Sequence, residues 1–311
     1  HVRIPIDMAN VHDETQPDLL DQTCVGYLDR GIEQILSHRL AIIIDLHSVS
    51  QRDGGSNYSG PLGTDPSFTD TFCHFWESLA RHLSRFDPDW VVLEPMNEPV
   101  LRGTEAEWPP IQKEVVAAIR RGAPRHSILA TGARWSDRDT LLDLEPLEDP
   151  NVIYNFHFYE PHIFTHQGAS WSSDWVKQLR DIPYPSSPEA VKELLGKYSD
   201  SQINSNIKAY GEQRWNAAKI EGRMRLASQW AKKHGVRVIC DEWGTYRQYC
   251  PAKHRVAWLR DVRQACEKFG IGWCMWTFDG SFGVVRRENG SAIVDKNVAK
   301  ALGLNVEGPA G

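Results

Sequence analysis

The chain of 311 residues is 41% hydrophobic and 24% charged, with a formal net charge of −6 at pH 7. This composition is typical of a globular protein with a large core. A nucleic-acid partner usually requires a basic stripe, so the negative charge argues against one. No apolar run approaches the roughly 20 residues needed to span a bilayer, which argues against a membrane partner.

Apolar β-branched runs alternate with amphipathic helical patterns along the whole chain. The predicted strands, in chain order, are residues 2–6, 41–46, 90–95, 127–131, 152–159, 236–240 and 271–277. The predicted helices are residues 18–37, 68–86, 110–121, 212–234, 252–268 and 295–302. A loop rich in Gly, Ser and Asn covers residues 48–64, and a long insertion covers residues 162–211. Both are long enough to have a function of their own.

This alternation, without a Pro/Gly linker between two halves, predicts one α/β domain over residues 1–311. Seven strand–helix units favour a (β/α)8 TIM barrel over an open sheet. A closed barrel of this kind needs eight strands, so we expect the first strand and helix to be absent from the numbered chain. The chain begins at His1 within a strand pattern, without an initiator Met or a signal peptide. The insertion over residues 162–211 is expected on the active-site face, as a wall of the cleft.

The six cysteines show neither a CxxC pair nor zinc-ligand spacing. Cys240 and Cys274 lie within predicted strands and are expected to be buried thiols. Cys250 and Cys266 lie in contexts that predict more exposure and could be bridged, although the sequence alone cannot pair them. The redox compartment therefore stays open.

Two glutamates follow hydrophobic strands, Glu98 in Met-Asn-Glu-Pro and Glu242 in Asp-Glu-Trp-Gly. Active sites of β/α barrels lie at the carboxyl ends of the strands, where such side chains converge. On the count of alternating side chains, Cys240 faces inward with Glu242. The same count directs polar or aromatic groups of the other strands to this end: Arg3, His47, His157, Tyr159 and Trp276. Paired carboxylates predict a retaining glycosidase, with the two carboxyls about 5–5.5 Å apart.

Other polar residues of these strands have a structural interpretation. Glu94 faces the barrel interior, and a buried carboxylate needs a partner, so an ion pair with Arg3 is expected. Asp45 is expected to orient a neighbouring side chain. Three histidines lie close in sequence, but their spacing does not fit one strand face, so they are expected to be polar residues rather than metal ligands: His157, His162 and His166.

Six strand ends form a series along the chain: Val-Arg-Ile-Pro, Asp-Leu-His, Met-Asn-Glu-Pro, His-Phe-Tyr-Glu-Pro, Asp-Glu-Trp-Gly and the Trp276 strand. They resemble the strand-end motifs of glycoside hydrolase family 5, in the cellulase-type barrel clan. The resemblance spans nearly the whole chain in the expected order. It implies that Glu98 is the general acid/base, that Glu242 is the nucleophile and that Asn97 binds the sugar 2-hydroxyl. It also implies roles for the other strand ends: Arg3 and Tyr159 at the nucleophile, His47 and His157 lining the site, and Trp276 under the sugar.

The resemblance further implies a retaining endo-β-1,4-glucanase that acts on a β-linked oligo- or polysaccharide, needs no metal or cofactor, and is secreted or periplasmic. We expect a monomer. A mannanase or another β-glucan exo-hydrolase remains an alternative, as does a carbohydrate-binding barrel whose activity is impaired.

Trp135 is assigned to substrate binding because its indole could stack on a sugar, although packing of its loop is an equal alternative. Packing is favoured for Trp171 and Trp175.

Overall fold

The computed structural model of the protein describes residues 1–12, 20–49, 59–101 and 105–305. These residues form two compact units. The first unit contains His1–His157 and Trp230–Asp241, and the second contains Phe158–Gln229 and Glu242–Gly311. The predicted loop over residues 48–64 lies largely outside the described residues, as does the start of the first predicted helix.

Seven strands form one sheet: β1 Val2–Asp7, β2 Ile42–Ser48, β3 Val91–Glu94, β4 Ser127–Thr131, β5 Val152–Phe158, β6 Arg237–Trp243 and β7 Gly272–Trp273. Their order in the sheet follows the chain. Neighbours from β1 to β5 pair in parallel, so that Ile4 lies opposite Ile44, and Ile44 opposite Leu93. Parallel neighbours require a crossover after each strand, as in a β/α barrel. All seven predicted strands are present, although the last is much shorter than predicted.

The helices connect these strands or follow them: α1 Met8–Val11, α2 Gln22–Ser37, α3 Pro66–Leu83, α4 Trp108–Gly122, α5 Arg138–Leu142, α6 His162–Thr165, α7 Asp174–Lys177, α8 Pro188–Val191, α9 Ser201–Gln213, α10 Ala217–His234, α11 Ala252–Lys268 and α12 Lys296–Ala301. A hairpin of β8 Val285–Glu288 and β9 Ser291–Val294 precedes α12. The sequence did not predict this hairpin. No helix of the described residues is long and apolar enough to cross a bilayer.

Capping residues and apolar stripes explain where helices of the first unit begin and which face they bury. Asp65 caps α3 by accepting a hydrogen bond from the backbone N–H of Ser67, and Pro66 occupies the first helical turn. The buried stripe of α3 includes Phe72, Trp76, Leu79 and Leu83. Gly122 ends α4 against α3, where a Cβ would lie 2.4 Å from the carbonyl oxygen of Glu77. A glycine is therefore required at this helix contact.

Strand β2 is buried on both faces, since Ile42, Ile43, Ile44 and Leu46 are each at most 5% exposed. A strand of a parallel sheet covered by crossover helices is expected to read as a continuous apolar run. This explains why the strand positions could be predicted from hydrophobicity alone.

The insertion over residues 162–211 packs within the second unit through buried tyrosines. Tyr210 donates a hydrogen bond to the carbonyl of Pro183, and Tyr184 donates to Asp261 of α11. The prediction that a single helix begins at residue 212 is wrong, because α9 continues to Gln213 and α10 begins at Ala217. Between them Arg214 is left-handed, with φ 51°, and Trp215 is only 3% exposed. The buried indole fixes this break in the helix.

All six cysteines have free thiols. Cys240 is buried as predicted, whereas the same prediction for Cys274 is wrong, because Cys274 is only partly buried. The prediction that Cys250 and Cys266 are exposed is wrong, because they are 7% and 0% exposed. The Sγ atom of Cys266 lies 3.9 Å from the Sδ atom of Met224, so the thiol contacts a thioether instead of forming a disulfide with another cysteine.

Candidate active site

Arg3 lies at the centre of a buried polar cluster in the first unit. Its guanidinium donates two hydrogen bonds of 2.7 Å to the carboxylate of Glu94, which confirms the predicted ion pair. A third hydrogen bond of 2.8 Å reaches Oδ1 of Asn97. Asp45 Oδ2 and Asp241 Oδ2 lie 3.2 and 3.4 Å from the guanidinium. One arginine thus contacts side chains from β2, β3 and β6 and from the segment after β3.

Burial gives this cluster unusual protonation equilibria. Burial raises the pKa of Glu94 well above its usual range, with Asp241 and Asp45 adding to the effect and Arg3 opposing it. Burial acts in the same direction on Asp241, but Arg3, His157 and Asn155 outweigh it, so the pKa of Asp241 lies below its ordinary value. Burial alone would lower the pKa of Arg3, yet the three carboxylates hold it well above its ordinary value. Arg3 therefore stays charged at any working pH.

Ligand atoms of Glu94, His157 and Asp241 lie within 4.8 Å of one another, a spacing that could hold a metal ion. However, the guanidinium of Arg3 and the amide of Asn155 already contact Glu94 and Asp241. A cation would have to replace an arginine that forms two short hydrogen bonds. The arrangement is therefore that of an internal ion pair rather than of a metal centre.

Glu98 follows β3, and its carboxylate Oε1 lies 2.8 Å from Nδ1 of His157. The Glu98 side chain is 14% exposed, whereas the His157 side chain is 2% exposed. Nε2 of His157 lies 3.4 Å from Oδ1 of Asp241, near the end of β6. His157 therefore lies between a partly exposed glutamate and a buried aspartate.

His47 forms a second pair of this kind. Its Nδ1 lies 2.9 Å from Oδ2 of Asp45, and its side chain is 22% exposed. Asp45 thus contacts His47 on one side and Arg3 on the other. This is the orienting contact that was predicted for Asp45.

The turn after β4 positions Trp135 and supports the neighbouring strand ends. Arg134, Trp135 and Ser136 all have positive φ, between 50° and 57°, which costs energy for residues with a Cβ. Ser136 holds the turn by donating to the carbonyl of Asn97, while its own carbonyl accepts from the N–H of His157. The Trp135 side chain remains 49% exposed. A strained turn whose backbone is tied to Asn97 and His157, and which leaves an indole open, is compatible with substrate contact.

Glu242 lies in the second unit and is 6% exposed. The hydroxyl of Tyr159 donates a hydrogen bond of 2.8 Å to its Oε1, so the contact expected between these two residues is present. Trp276 is partly buried against a cluster of Ala169, Tyr246 and Phe282.

Aromatic rings surround Tyr159 on its other side. Its ring lies 5.0 Å from the ring of His166 and 6.1 Å from that of Phe282. Phe282 also contacts Trp171, at 6.1 Å. The Trp171 ring also lies 5.0 Å from the ring of Tyr246, so the packing that was favoured for it is present, although 58% of the residue remains exposed. The insertion therefore supplies part of the packing around Tyr159.

The first unit thus groups several predicted site residues around one buried cluster: Arg3, His47, Asn97, Glu98 and His157. The second unit groups Tyr159 with Glu242. The separation of Glu98 and Glu242 stays a prediction. Sequence reasoning missed Asp241, because the count of alternating side chains assigned Cys240 and Glu242 to the inner face. The signal was an ionisable residue within an otherwise apolar strand, which needs buried partners.

A family model described as cellulase (glycosyl hydrolase family 5) matches residues 1–281. The chain belongs to this family. The match includes all seven strands of the sheet and every site residue predicted from the sequence.

Endoglucanase 3 of Fibrobacter succinogenes is 29% identical in an alignment 320 residues long, which covers 97% of this chain and 47% of that protein. Cellodextrinase A of Ruminococcus flavefaciens is 29% identical over 275 residues, covering 87% of this chain and 72% of that protein. Endoglucanase C of Acetivibrio thermocellus is 25% identical over 281 residues, covering 89% and 79%. The chain therefore spans about half the length of the first family member and most of the other two.

Solved structures give the same fold. A hyperthermophilic endo-β-1,4-glucanase in complex with substrate has a TM-score of 0.76 at 24% identity, covering 97% of this chain and 84% of that one. Thermotoga maritima Cel5A in complex with cellobiose has a TM-score of 0.75 at 22% identity, covering 97% and 85%. The likeness confirms the predicted β/α-barrel fold of this family member.

Proposed function

We propose that the protein is a retaining glycoside hydrolase that cleaves β-1,4-linked glucan, with Glu98 as general acid/base and Glu242 as nucleophile. The observation that carries the proposal is the different hydrogen bonding of the two glutamates. Glu242 accepts a hydrogen bond from a tyrosine hydroxyl, and Glu98 lies against an imidazole nitrogen. The first contact favours a carboxylate, and the second can hold a carboxylic acid.

In the first step, a Glu242 oxygen attacks the anomeric carbon while Glu98 gives its proton to the glycosidic oxygen, which departs with the aglycone. In the second step, Glu98 takes a proton from water, the hydroxide attacks the same carbon, and the bond to Glu242 breaks. The two inversions retain the β configuration. Tyr159 holds the attacking carboxylate in place throughout.

Asn97 is suited to the sugar 2-hydroxyl for a geometric reason. Its Oδ1 accepts the hydrogen bond from Arg3, which directs the Nδ2–H2 group to donate to a substrate hydroxyl oxygen. Hydrogen bonds at this hydroxyl strengthen in the transition state of glycoside cleavage. Trp276 and the exposed Trp135 are the proposed aromatic contacts for sugar rings, and His47 is proposed to line the site.

The names of the relatives support a glucan substrate, since two of them are endoglucanases. The cellodextrinase among them favours short β-1,4-glucans as a second candidate substrate. Reducing-sugar release from carboxymethylcellulose, compared with release from cellodextrins, mannan and lichenan, separates these possibilities. A secreted or periplasmic location and a monomeric state remain predictions.

The roles of the two glutamates are tested with two substrates of different leaving-group acidity. Glu98→Ala should lower activity on carboxymethylcellulose by about 100- to 10,000-fold, the usual contribution of general acid–base catalysis. The same variant should still release dinitrophenol from its β-cellobioside, because that leaving group needs no proton. Glu242→Ala should abolish turnover of both substrates.

The matched controls are Glu145→Ala and Glu193→Ala, which remove exposed glutamates from the first and second unit. Both should leave the activities unchanged. Equal losses on the two substrates in Glu98→Ala would contradict the assigned roles. Proton NMR of the first product should show the β-anomer, and an α-anomer would refute retention.

A further inference from the structure

We propose that Asp241 is a positioning residue that holds the neutral imidazole of His157 with its proton on Nε2, so that Nδ1 accepts a hydrogen bond from the protonated Glu98. The inference rests on the proposed role of Glu98 as general acid. Asp241 acts through His157 and does not itself contact Glu98.

The orientation of the Asp241 carboxylate is fixed on one side. Its Oδ2 accepts a hydrogen bond of 2.8 Å from the amide of Asn155 and lies 3.4 Å from Nε of Arg3. This leaves Oδ1 as the oxygen that faces His157, 3.4 Å from Nε2. The Asp241 side chain is fully buried, so its negative charge acts on the imidazole with little screening by water.

A neutral imidazole carries a proton on only one of its two nitrogens. The carboxylate of Asp241 favours the proton on Nε2, which leaves a lone pair on Nδ1. That lone pair lies 2.8 Å from Oε1 of Glu98. Two lone pairs would repel at this distance, so a proton must lie between them, and in this tautomer it belongs to Glu98.

Without the charge of Asp241, the proton of the imidazole could move to Nδ1. Nδ1–H would then donate to Glu98, which favours the carboxylate form of Glu98. The enzyme would lose its general acid at a lower pH. The position of Asp241 therefore determines which partner of the Glu98–His157 pair supplies the proton.

The charged groups that act on this pair within the first unit come from four strands. Glu98 follows β3 and Asp241 lies on β6, both against His157 of β5. Arg3 of β1 contacts Asp241, and behind it lie Asp45 of β2 and Glu94 of β3. Glu242 follows Asp241 directly in the chain. Exchange of Asp241 for Asn removes one of these charges while keeping the shape of the side chain.

The tautomer is measured directly by ¹⁵N NMR of histidine-labelled protein without substrate. His157→Gln identifies the resonances of residue 157 by their loss. In the wild-type protein these resonances should show Nε2–H and an unprotonated Nδ1 near pH 6, and Asp241→Asn should shift the population towards Nδ1–H. Nδ1–H or a doubly protonated ring in the wild-type protein would overturn the inference, and this result does not depend on the folding of Asp241→Asn.

Kinetics give a second readout that a purely structural role would not move. In Asp241→Asn the alkaline limb of kcat/KM against pH should move about one unit lower, which is an about tenfold loss on the alkaline side. The loss should be in kcat rather than KM, and it should be larger for cellobiosides with poor leaving groups than for the dinitrophenyl compound. An unchanged limb with an unchanged tautomer would leave Asp241 with a structural role only.

The two measurements also separate this inference from the proposed function. If Glu98 is not the general acid, the leaving-group dependence fails while the tautomer result stands. If the tautomer result fails in an active enzyme, the proposed function survives and the role of Asp241 does not.

Discussion

The packing of His166 predicts that the protein loses stability between pH 6.5 and pH 4.5. The imidazole lies 4.2 Å from the ring of His162 and 5.0 Å from that of Tyr159. Burial, with a further effect of His162, lowers the pKa of His166 to about 3. The hydroxyl of Thr165 donates to the carbonyl of Tyr159, so its oxygen accepts from Nδ1–H of His166, which lies 3.0 Å away. His166 is therefore neutral in the folded protein.

The sign and size of the effect follow from this lowered pKa. Below pH 6.5 the unfolded chain binds a proton at residue 166 that the folded chain does not bind. At pH 6.5 the unfolded imidazole is half protonated, so the free energy of unfolding falls by about 1.0 kcal/mol over the first unit of pH and by about 1.3 kcal/mol over the second, or about 2.3 kcal/mol in total. The ring is only partly enclosed, so we expect roughly 2 kcal/mol after allowance for screening by water.

The substitution His166→Phe removes the titrating group and keeps an aromatic ring in its place. Urea unfolding, followed by tryptophan fluorescence at pH 6.5 and pH 4.5, gives the free energy of unfolding of variant and wild type. The variant should lose roughly 2 kcal/mol less than the wild type between these pH values. His38→Gln, which removes an exposed histidine at the end of α2, should show the wild-type difference. The same pH dependence in His166→Phe and wild type would refute the reasoning.

Two further predictions concern packing and catalysis. Gly122→Ala should lower the free energy of unfolding by about 1–3 kcal/mol, because its Cβ would overlap the backbone of α3. Its control, Gly31→Ala, adds a Cβ where α2 has open space. This control should raise the free energy of unfolding by up to about 1 kcal/mol in the same urea assay. A similar loss of stability in both variants would contradict the close contact at Gly122. Tyr159→Phe removes the hydrogen bond to Glu242 and should lower kcat by about 10- to 100-fold with little change in unfolding. A loss below about threefold would mean that this hydroxyl does not support the nucleophile.

The strands and most helices could be predicted because burial on both faces of a parallel sheet leaves long apolar runs. The same property concealed Asp241. When both faces of a strand are buried, alternation does not tell which parity faces the interior, so Asp241 was not expected to contact Arg3 and Asn155. The ion pair of Arg3 and Glu94 could be predicted, because a buried carboxylate without a cation is too unfavourable.

Other misses arise from contacts between distant parts of the chain. The break between α9 and α10 depends on Trp215. The backbone N–H of Trp215 donates a hydrogen bond to the hydroxyl of Ser186, which lies far earlier in the sequence. Local helix propensity contains no information about such an anchor. The hairpin of β8 and β9 did have a local signal, because Asn289 and Gly290 both adopt positive φ in its turn. An Asn-Gly pair between short strands is a strong indication of a two-residue hairpin.

Arg3 contacts both Asp45 and Asp241, and this has a consequence for engineering the enzyme. The Asp45–His47 and Asp241–His157 pairs both depend on the same guanidinium. Substitutions at Asp45 and Asp241 should therefore be non-additive in a double-mutant cycle, even though they lie on different strands. A designer who retunes one histidine would alter the other as well, so the two sides of this polar network can only be optimised jointly.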